Sequence, residues 1–126
     1  MILTQQDVRE VQLAKGAIRA GIELMCEQLG RQVEQIGSVL LAGAFGNYLD
    51  PRSACRIGLF PPCLEHKIRP IGNAAGTGAE LCAVNRSEFD YSKRLAAAAK
   101  FLELASLPQF QDRYVAALNL EEDEDE

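Results

Sequence analysis

The sequence predicts an α/β domain in which helices pack on a small mixed sheet. One long helical repeat and two glycine-bearing segments carry that expectation. Val8, Val11, Ala14, Ile18, Ile22, Met25 and Leu29 recur at intervals of three and four, the spacing of an amphipathic helix of about six to seven turns. Ser38-Val39-Leu40-Leu41-Ala42-Gly43-Ala44-Phe45-Gly46-Asn47 reads as strand, tight loop and helix start. Ile68-Arg69-Pro70-Ile71-Gly72-Asn73-Ala74-Ala75-Gly76-Thr77-Gly78-Ala79 repeats that grammar.

Each element has a local cause. Thr4 and Asp7 form an N-terminal capping pair for the first helix, and Gly30 ends it. Val39 to Ala42 is short and uniformly apolar, which predicts a strand buried in a sheet. Asp50 followed by Pro51 reads as an N-cap with proline at the first helical position, opening a short helix through Arg56. Gly58 to Pro62 is irregular. Lys67 to Ile71 reads as a second strand, and Pro70 within it argues for an edge or a strand end. Asn73 caps a helix from Ala74 to Val84; Gly76 and Gly78 weaken it and imply close packing on a sheet or ligand. Ser87 begins a long helix, alanine-rich at 96 to 99, reaching about Ala105. Pro108 starts a last helix to about Leu118. Two strands do not make a stable sheet by themselves. Either further strands are present, or other segments of a longer chain complete the sheet.

Charge and cysteine usage exclude several classes. The 126 residues fit one domain at 1–120. The chain carries 13 Lys and Arg against 18 Asp and Glu, a net charge of −5. Glu121-Glu122-Asp123-Glu124-Asp125-Glu126 supplies six of those negative charges and reads as a disordered tail. The remaining body is close to neutral, which argues against a nucleic-acid partner. No stretch has the roughly 18–20 apolar residues of a membrane span, and no secretory leader is evident, so the chain reads as cytoplasmic. Cys26, Cys55, Cys63 and Cys82 are irregularly spaced without a CxxC pair, which favours reduced, structural cysteines over a metal site. His66 is the single histidine and no nucleophile motif accompanies it. No catalytic residue is therefore assigned.

The glycine turns are the best lead to function. Where a strand ends in glycine and a helix begins, backbone amides face space that a phosphate or ribose can enter without meeting a side chain. Two such turns in one small domain suggest a nucleotide cleft. Gly43-Ala44-Phe45-Gly46 is neither the dinucleotide fingerprint nor a Walker A loop. A purely structural strand-to-helix turn remains open for this short pattern.

Longer strings are more specific. Gln12-Leu13-Ala14-Lys15-Gly16-Ala17-Ile18-Arg19-Ala20-Gly21, Leu41-Ala42-Gly43-Ala44-Phe45-Gly46-Asn47-Tyr48-Leu49-Asp50-Pro51 and Ile71-Gly72-Asn73-Ala74-Ala75 occur in that order. Together they resemble the C-terminal part of reductive activators of corrinoid proteins over nearly residues 2–118. Those are large ferredoxin-like proteins whose ATPase domain belongs to the superfamily of acetate and sugar kinases, heat-shock chaperones and actin. The resemblance implies a ribonuclease H-like, actin-like ATPase half: the adenosine side of a domain that binds and hydrolyses ATP with Mg2+. It also implies a [2Fe–2S] cluster in a separate N-terminal domain, and a corrinoid protein or similar metalloprotein reduced from Co(II) to Co(I). The other partners it implies are the remainder of a longer chain and a second copy in a homodimer. An excised half of this kind should not turn over ATP alone.

The resemblance also implies residue roles. Gly43 and Gly46 would let the backbone approach the ribose and α-phosphate, with Ala44 between them where related motifs often have glycine. Phe45 would pack on the sugar or adenine, or act as a core or hinge aromatic. Asn47 and Asp50 would shape the loop. Gln12, Lys15 and Arg19 would offer polar contacts to adenine and ribose, Lys15 foremost, or else be solvated surface charge. Gly72 and Asn73 would contact the cleft or pack beside it. Two other classes stay open: a docking or dimerisation module using the C-terminal helices, and a small binding protein unrelated to ATP.

Overall fold

The computed structural model describes residues 2–120, except the side chain of Phe45. The acidic run 121–126, expected to be a disordered tail, lies outside the described residues. The chain divides into two compact units. One comprises residues up to Val39, Asp50–Ile68 and the segment from Glu103 onward. The other comprises Leu40–Leu49 and Arg69–Leu102.

Helix α1 of the first unit spans Gln5–Gln28. Thr4 and Asp7 cap it reciprocally: the Asp7 amide donates to Thr4 Oγ1 at 3.2 Å, and the Thr4 amide donates to Asp7 Oδ2 at 2.8 Å. At the other end Gly30 adopts φ +61°. The Gly30 amide then reaches the Glu27 carbonyl and the Arg31 amide the Cys26 carbonyl, at 3.0 and 2.9 Å. That pair of bonds is the Schellman arrangement that stops a helix.

The face that α1 buries differs from the one its periodicity predicts. Val11, Ile18 and Met25 remain 45%, 42% and 47% exposed. The buried residues are Lys15, Gly16, Ala20, Gly21, Leu24 and Cys26. Small residues let another helix approach closely. That helix is α6, Phe110–Ala116. A Cβ on Gly16 would sit 3.1 Å from Leu118 Cδ2 and 3.4 Å from the Ala117 carbonyl oxygen. A Cβ on Gly21 would sit 3.1 Å from Leu104 Cδ1. Arg113 of α6 adds ion pairs to Glu23, at 3.5 Å, and to Glu27. Gly16→Val should therefore separate α1 from α6 and cost about 2 kcal/mol, read as a lowered midpoint in denaturant unfolding.

The rest of this unit's core is Ala54, Cys55, Leu59, Phe60, Leu64 and Ile68, all buried. Helix α3, Pro51–Arg56, has Asp50 as its N-cap, as its sequence predicts. The Ser53 amide donates to Asp50 Oδ2 at 2.8 Å, and hydrogen bonding from Ser53 holds the Asp50 carboxyl below its ordinary value. Two 3-10 turns, Val33–Gln35 and Pro62–Lys67, were not predicted. The second begins within a proline pair, where φ is restricted. Lys67 Nζ ties the two turns together by donating to the Glu34 carbonyl at 2.7 Å.

In the second unit the chain forms a two-stranded parallel sheet of β1, Val39–Ala42, and β2, Ile68–Gly72, whose first residues lie at the division between units. The expectation that β1 is buried fails: Leu40 is 57% exposed, and each strand has only one neighbour among the described residues. Pro70 is tolerated for the same reason, since a strand with a vacant edge does not require every amide. Helix α2, Ala44–Tyr48, follows β1. Helix α4, Ala74–Val84, follows β2 and packs on α5, Arg86–Ala98.

Helix α5 stops well short of Ala105. Ala99 turns to ψ 134° while its amide still bonds the Leu95 carbonyl at 3.0 Å. Nothing in the neighbouring residues explains the stop, since alanine favours helix. Helix α6 also starts later than Pro108, after a 3-10 turn at Leu104–Ser106. No helix among the described residues is long and apolar enough to cross a membrane.

Candidate functional site

The parallel strands place their two exit turns side by side. The Gly43 amide donates to the Gly72 carbonyl at 2.7 Å, so the turns are hydrogen-bonded to each other. Gly43 has φ +84° and Gly72 φ +62°, a region that residues with a Cβ rarely adopt. Among the described residues, a Cβ built on either one meets no atom within 4 Å. The backbone at these two positions is bordered by open space.

Gly46 has a different role from Gly43. A Cβ there would lie 2.8 Å from Leu41 Cβ and 2.9 Å from the Leu41 carbonyl oxygen. Its missing side chain lets α2 fold back onto β1, so Gly46 shapes the turn from behind. Ala44 and Asn47 are exposed. Phe45 belongs to α2, but its side chain lies outside the described residues.

Asn73 is the N-cap of α4, and its Oδ1 accepts from the Gly76 amide at 3.0 Å. A Cβ on Gly76 would fall 2.4 Å from Asn73 Nδ2. Gly76 thus makes room for the cap. Gly78 has no described atom within 4 Å of its Cβ position, so the close packing on a sheet that was one expectation for it is absent among the described residues. The Gly43 amide is engaged by the Gly72 carbonyl and the Gly76 amide by Asn73, which leaves the amides of Ala74 and Ala75 as the first-turn donors of α4. A helix leaves such amides without intrahelical partners. Ala74 and Ala75 join the candidate residues on this ground, signalled in the sequence by Asn73 as a cap.

Gln12, Lys15 and Arg19 belong to the first unit, on one face of α1. Gln12 Nε2 donates to the Leu118 carbonyl at 3.1 Å, and Lys15 Nζ donates to the Asn119 carbonyl. Arg19 Nε pairs with Glu23 Oε1 at 2.7 Å. Lys15 is only 2% exposed, which rules out the solvated-charge reading for it. Lys15, Arg19, Glu23 and Arg113 line a cavity of about 210 Å³ together with Asn119 and Leu120. The sequence singled out two of these side chains, Lys15 and Arg19; it did not indicate that residues after α6 line the cavity with them.

Cys26 and Cys55 are buried, Cys63 is exposed and Cys82 is half-buried, and all four are free thiols. Burial, with Glu23 and Glu34 adding to it, pushes the Cys26 thiol up. Among the described residues no group of three or more His, Cys, Asp or Glu lies together.

A family described as the C-terminal domain of RACo, the ASKHA domain, matches residues 1–126. This chain belongs to that family. Its α/β architecture agrees with that of a solved reductive activator for a corrinoid, iron-sulfur protein. The match has a TM-score of 0.85 and 32% identity, over 94% of this chain and 19% of that one. The ASKHA domain is also 41% identical over 115 residues to the corrinoid activation enzyme RamQ of Eubacterium limosum. That match takes in 91% of this chain and 19% of RamQ. A third relative is the [Co(II) methylated amine-specific corrinoid protein] reductase of Methanosarcina barkeri, 29% identical over 119 residues. Here 93% of this chain is matched against 22% of the reductase. The chain thus spans about one-fifth of the length of these relatives.

Proposed function

We propose that this ASKHA domain supplies the adenosine side of an ATP-binding and hydrolysing unit. In the longer protein that unit drives one-electron reduction of a corrinoid protein or similar metalloprotein, cobalt passing from Co(II) to Co(I). The observation that carries the nucleotide reading is the joined pair of turns at Gly43 and Gly72. There the backbone borders open space and no Cβ intervenes. The names of the relatives, a corrinoid activation enzyme and a corrinoid protein reductase, support the metabolic setting.

Within this reading the turn residues Gly43, Ala44, Phe45, Gly72 and Asn73 face the nucleotide with main-chain groups. Gly46 and Asn47 hold the bend behind them. Gln12, Lys15 and Arg19 are separately assigned as polar contacts from α1. ATP, when bound, supplies the phosphoryl-transfer energy for the reduction. The open positions beside Gly43 and Gly72 fit a sugar-phosphate group. No cluster of ligating side chains in the described residues fits Mg2+ or a [2Fe–2S] centre, so both are assigned to other parts of the longer protein. As part of the same proposal, the domain alone does not hydrolyse ATP, and the longer protein operates in the cytoplasm as a homodimer.

A docking role is the second reading. It is favoured by Tyr91 and Leu95, one turn apart on α5 and 49% and 53% exposed. Photolabelling of the intact protein with 8-azido-ATP distinguishes the two. The nucleotide reading expects labelled peptides from residues 41–49 or 69–79, suppressed by excess ATP. Label confined to peptides outside these and outside α1 contradicts it and leaves the docking role.

A further inference from the structure

Helix α1 is inverted relative to an ordinary surface helix. Its polar side chains are the engaged ones: Lys15 is buried, and Gln12, Arg19 and Glu23 are half-buried, each bonded within the first unit. Its apolar residues face outward. Val11, Ala14, Ile18, Met25 and the helix-ending Leu29 are exposed, with Ile22 among them half-buried. These six follow one another at steps of three and four, so they form a single stripe along the helix. A surface helix of a globular domain turns such a stripe to the core and its polar side to water. None of the six positions is charged.

We propose that the α1 stripe is an interface for an apolar, uncharged face belonging to the remainder of the longer polypeptide. This rests on the reading above only in placing the domain within a longer chain; nucleotide binding plays no part in it. Two features favour that occupant. The first is the area: a stripe roughly 27 Å long on a helix about 10 Å across offers on the order of 300 Å². Stable association of separate molecules takes about 800 Å² per partner, so the stripe is too small to hold a second copy or a corrinoid protein by itself. A tethered partner is present at millimolar effective concentration and needs no such area. The second is the length of chain available. The matched region is 19% of RamQ and 22% of the Methanosarcina barkeri reductase, so about four-fifths of each relative lies outside it. The absence of charge agrees with a permanent contact, since interface centres are depleted of charged residues.

The test is side-chain reactivity in the intact protein, read peptide by peptide by mass spectrometry in the absence of any corrinoid protein. A maleimide should modify the Ile18→Cys variant about a hundredfold more slowly in the native state than in the unfolded one, as for a site reached only by local opening. Met25 gives a second measurement without a substitution: hydrogen peroxide should convert it to the sulfoxide about tenfold more slowly in native than in unfolded protein. Both protections should persist in protein diluted until mass photometry shows single chains. Native reactivity within about fivefold of the unfolded value at both positions leaves the stripe open to solvent and overturns the proposal. Protection lost on dilution to single chains gives the stripe to a second copy, and protection gained only on adding a corrinoid protein gives it to that protein; either result overturns the proposal. ATP binding moves none of these readouts, so a failed nucleotide reading and a failed interface are separately visible.

Discussion

Gly46→Ala is expected to destabilise the protein by about 3 kcal/mol, at the upper end for a single added methyl group. The new Cβ would lie 2.8 Å from Leu41 Cβ and 2.9 Å from the Leu41 carbonyl oxygen. Real contacts to backbone are not that short, and a carbonyl in a strand cannot rotate aside as a flexible side chain can. The substitution must push α2 off β1 or break the strand end. Either outcome disturbs the turn that begins at Gly43. For a domain of this size the loss corresponds to roughly 10 °C in the melting temperature, measurable by circular dichroism or calorimetry. An unchanged melting temperature would show that α2 does not fold back onto β1 as described.

The local punctuation of this fold was legible in the sequence because its signals act over three or four residues. Thr4 with Asp7, Asp50 before Pro51, and Asn73 before Ala74 each name a helix start, and each is the observed N-cap. Gly30 marks the end of α1 by the φ it alone adopts easily. Both glycine turns also fall where the strand-loop-helix grammar put them, with β2 shifted by one residue.

What was not legible depends on partners distant in sequence. The apolar stripe of α1 at Val11, Ile18 and Met25 has the right period for a core, yet it stays largely exposed. Periodicity reports that a face is apolar and is silent about what covers it. The face that is covered is marked instead by glycine and alanine at 16, 20 and 21, through close approach of the α6 region and Leu104. Likewise Gln12 and Lys15 were identified as polar groups on α1, while their engagement by Leu118 and Asn119, more than 100 residues away, had no local signal. The alanine-rich stretch at 96 to 99 shows the reverse failure, a strong helical propensity that ends at Ala98.

Gly43 separates backbone strain from ligand approach. Any substitution there carries a Cβ at φ +84°, at a cost of about 1–2 kcal/mol in fold stability. Within the protein the added Cβ meets nothing within 4 Å. Alanine and valine both meet that strain, but valine also places two further methyl groups into the neighbouring space. If that space holds the ribose and phosphate, valine should weaken ATP binding relative to alanine by about 2 kcal/mol, roughly thirtyfold in Kd. Gly46 offers no such contrast, because its Cβ position is already filled from inside. The decisive measurement is a calorimetric titration of ATP into the intact protein carrying Gly43→Ala or Gly43→Val, each first shown to be folded. The adenosine-side account predicts measurable binding to the alanine variant and about thirtyfold weaker binding to the valine variant. Affinities that agree within about twofold would contradict it.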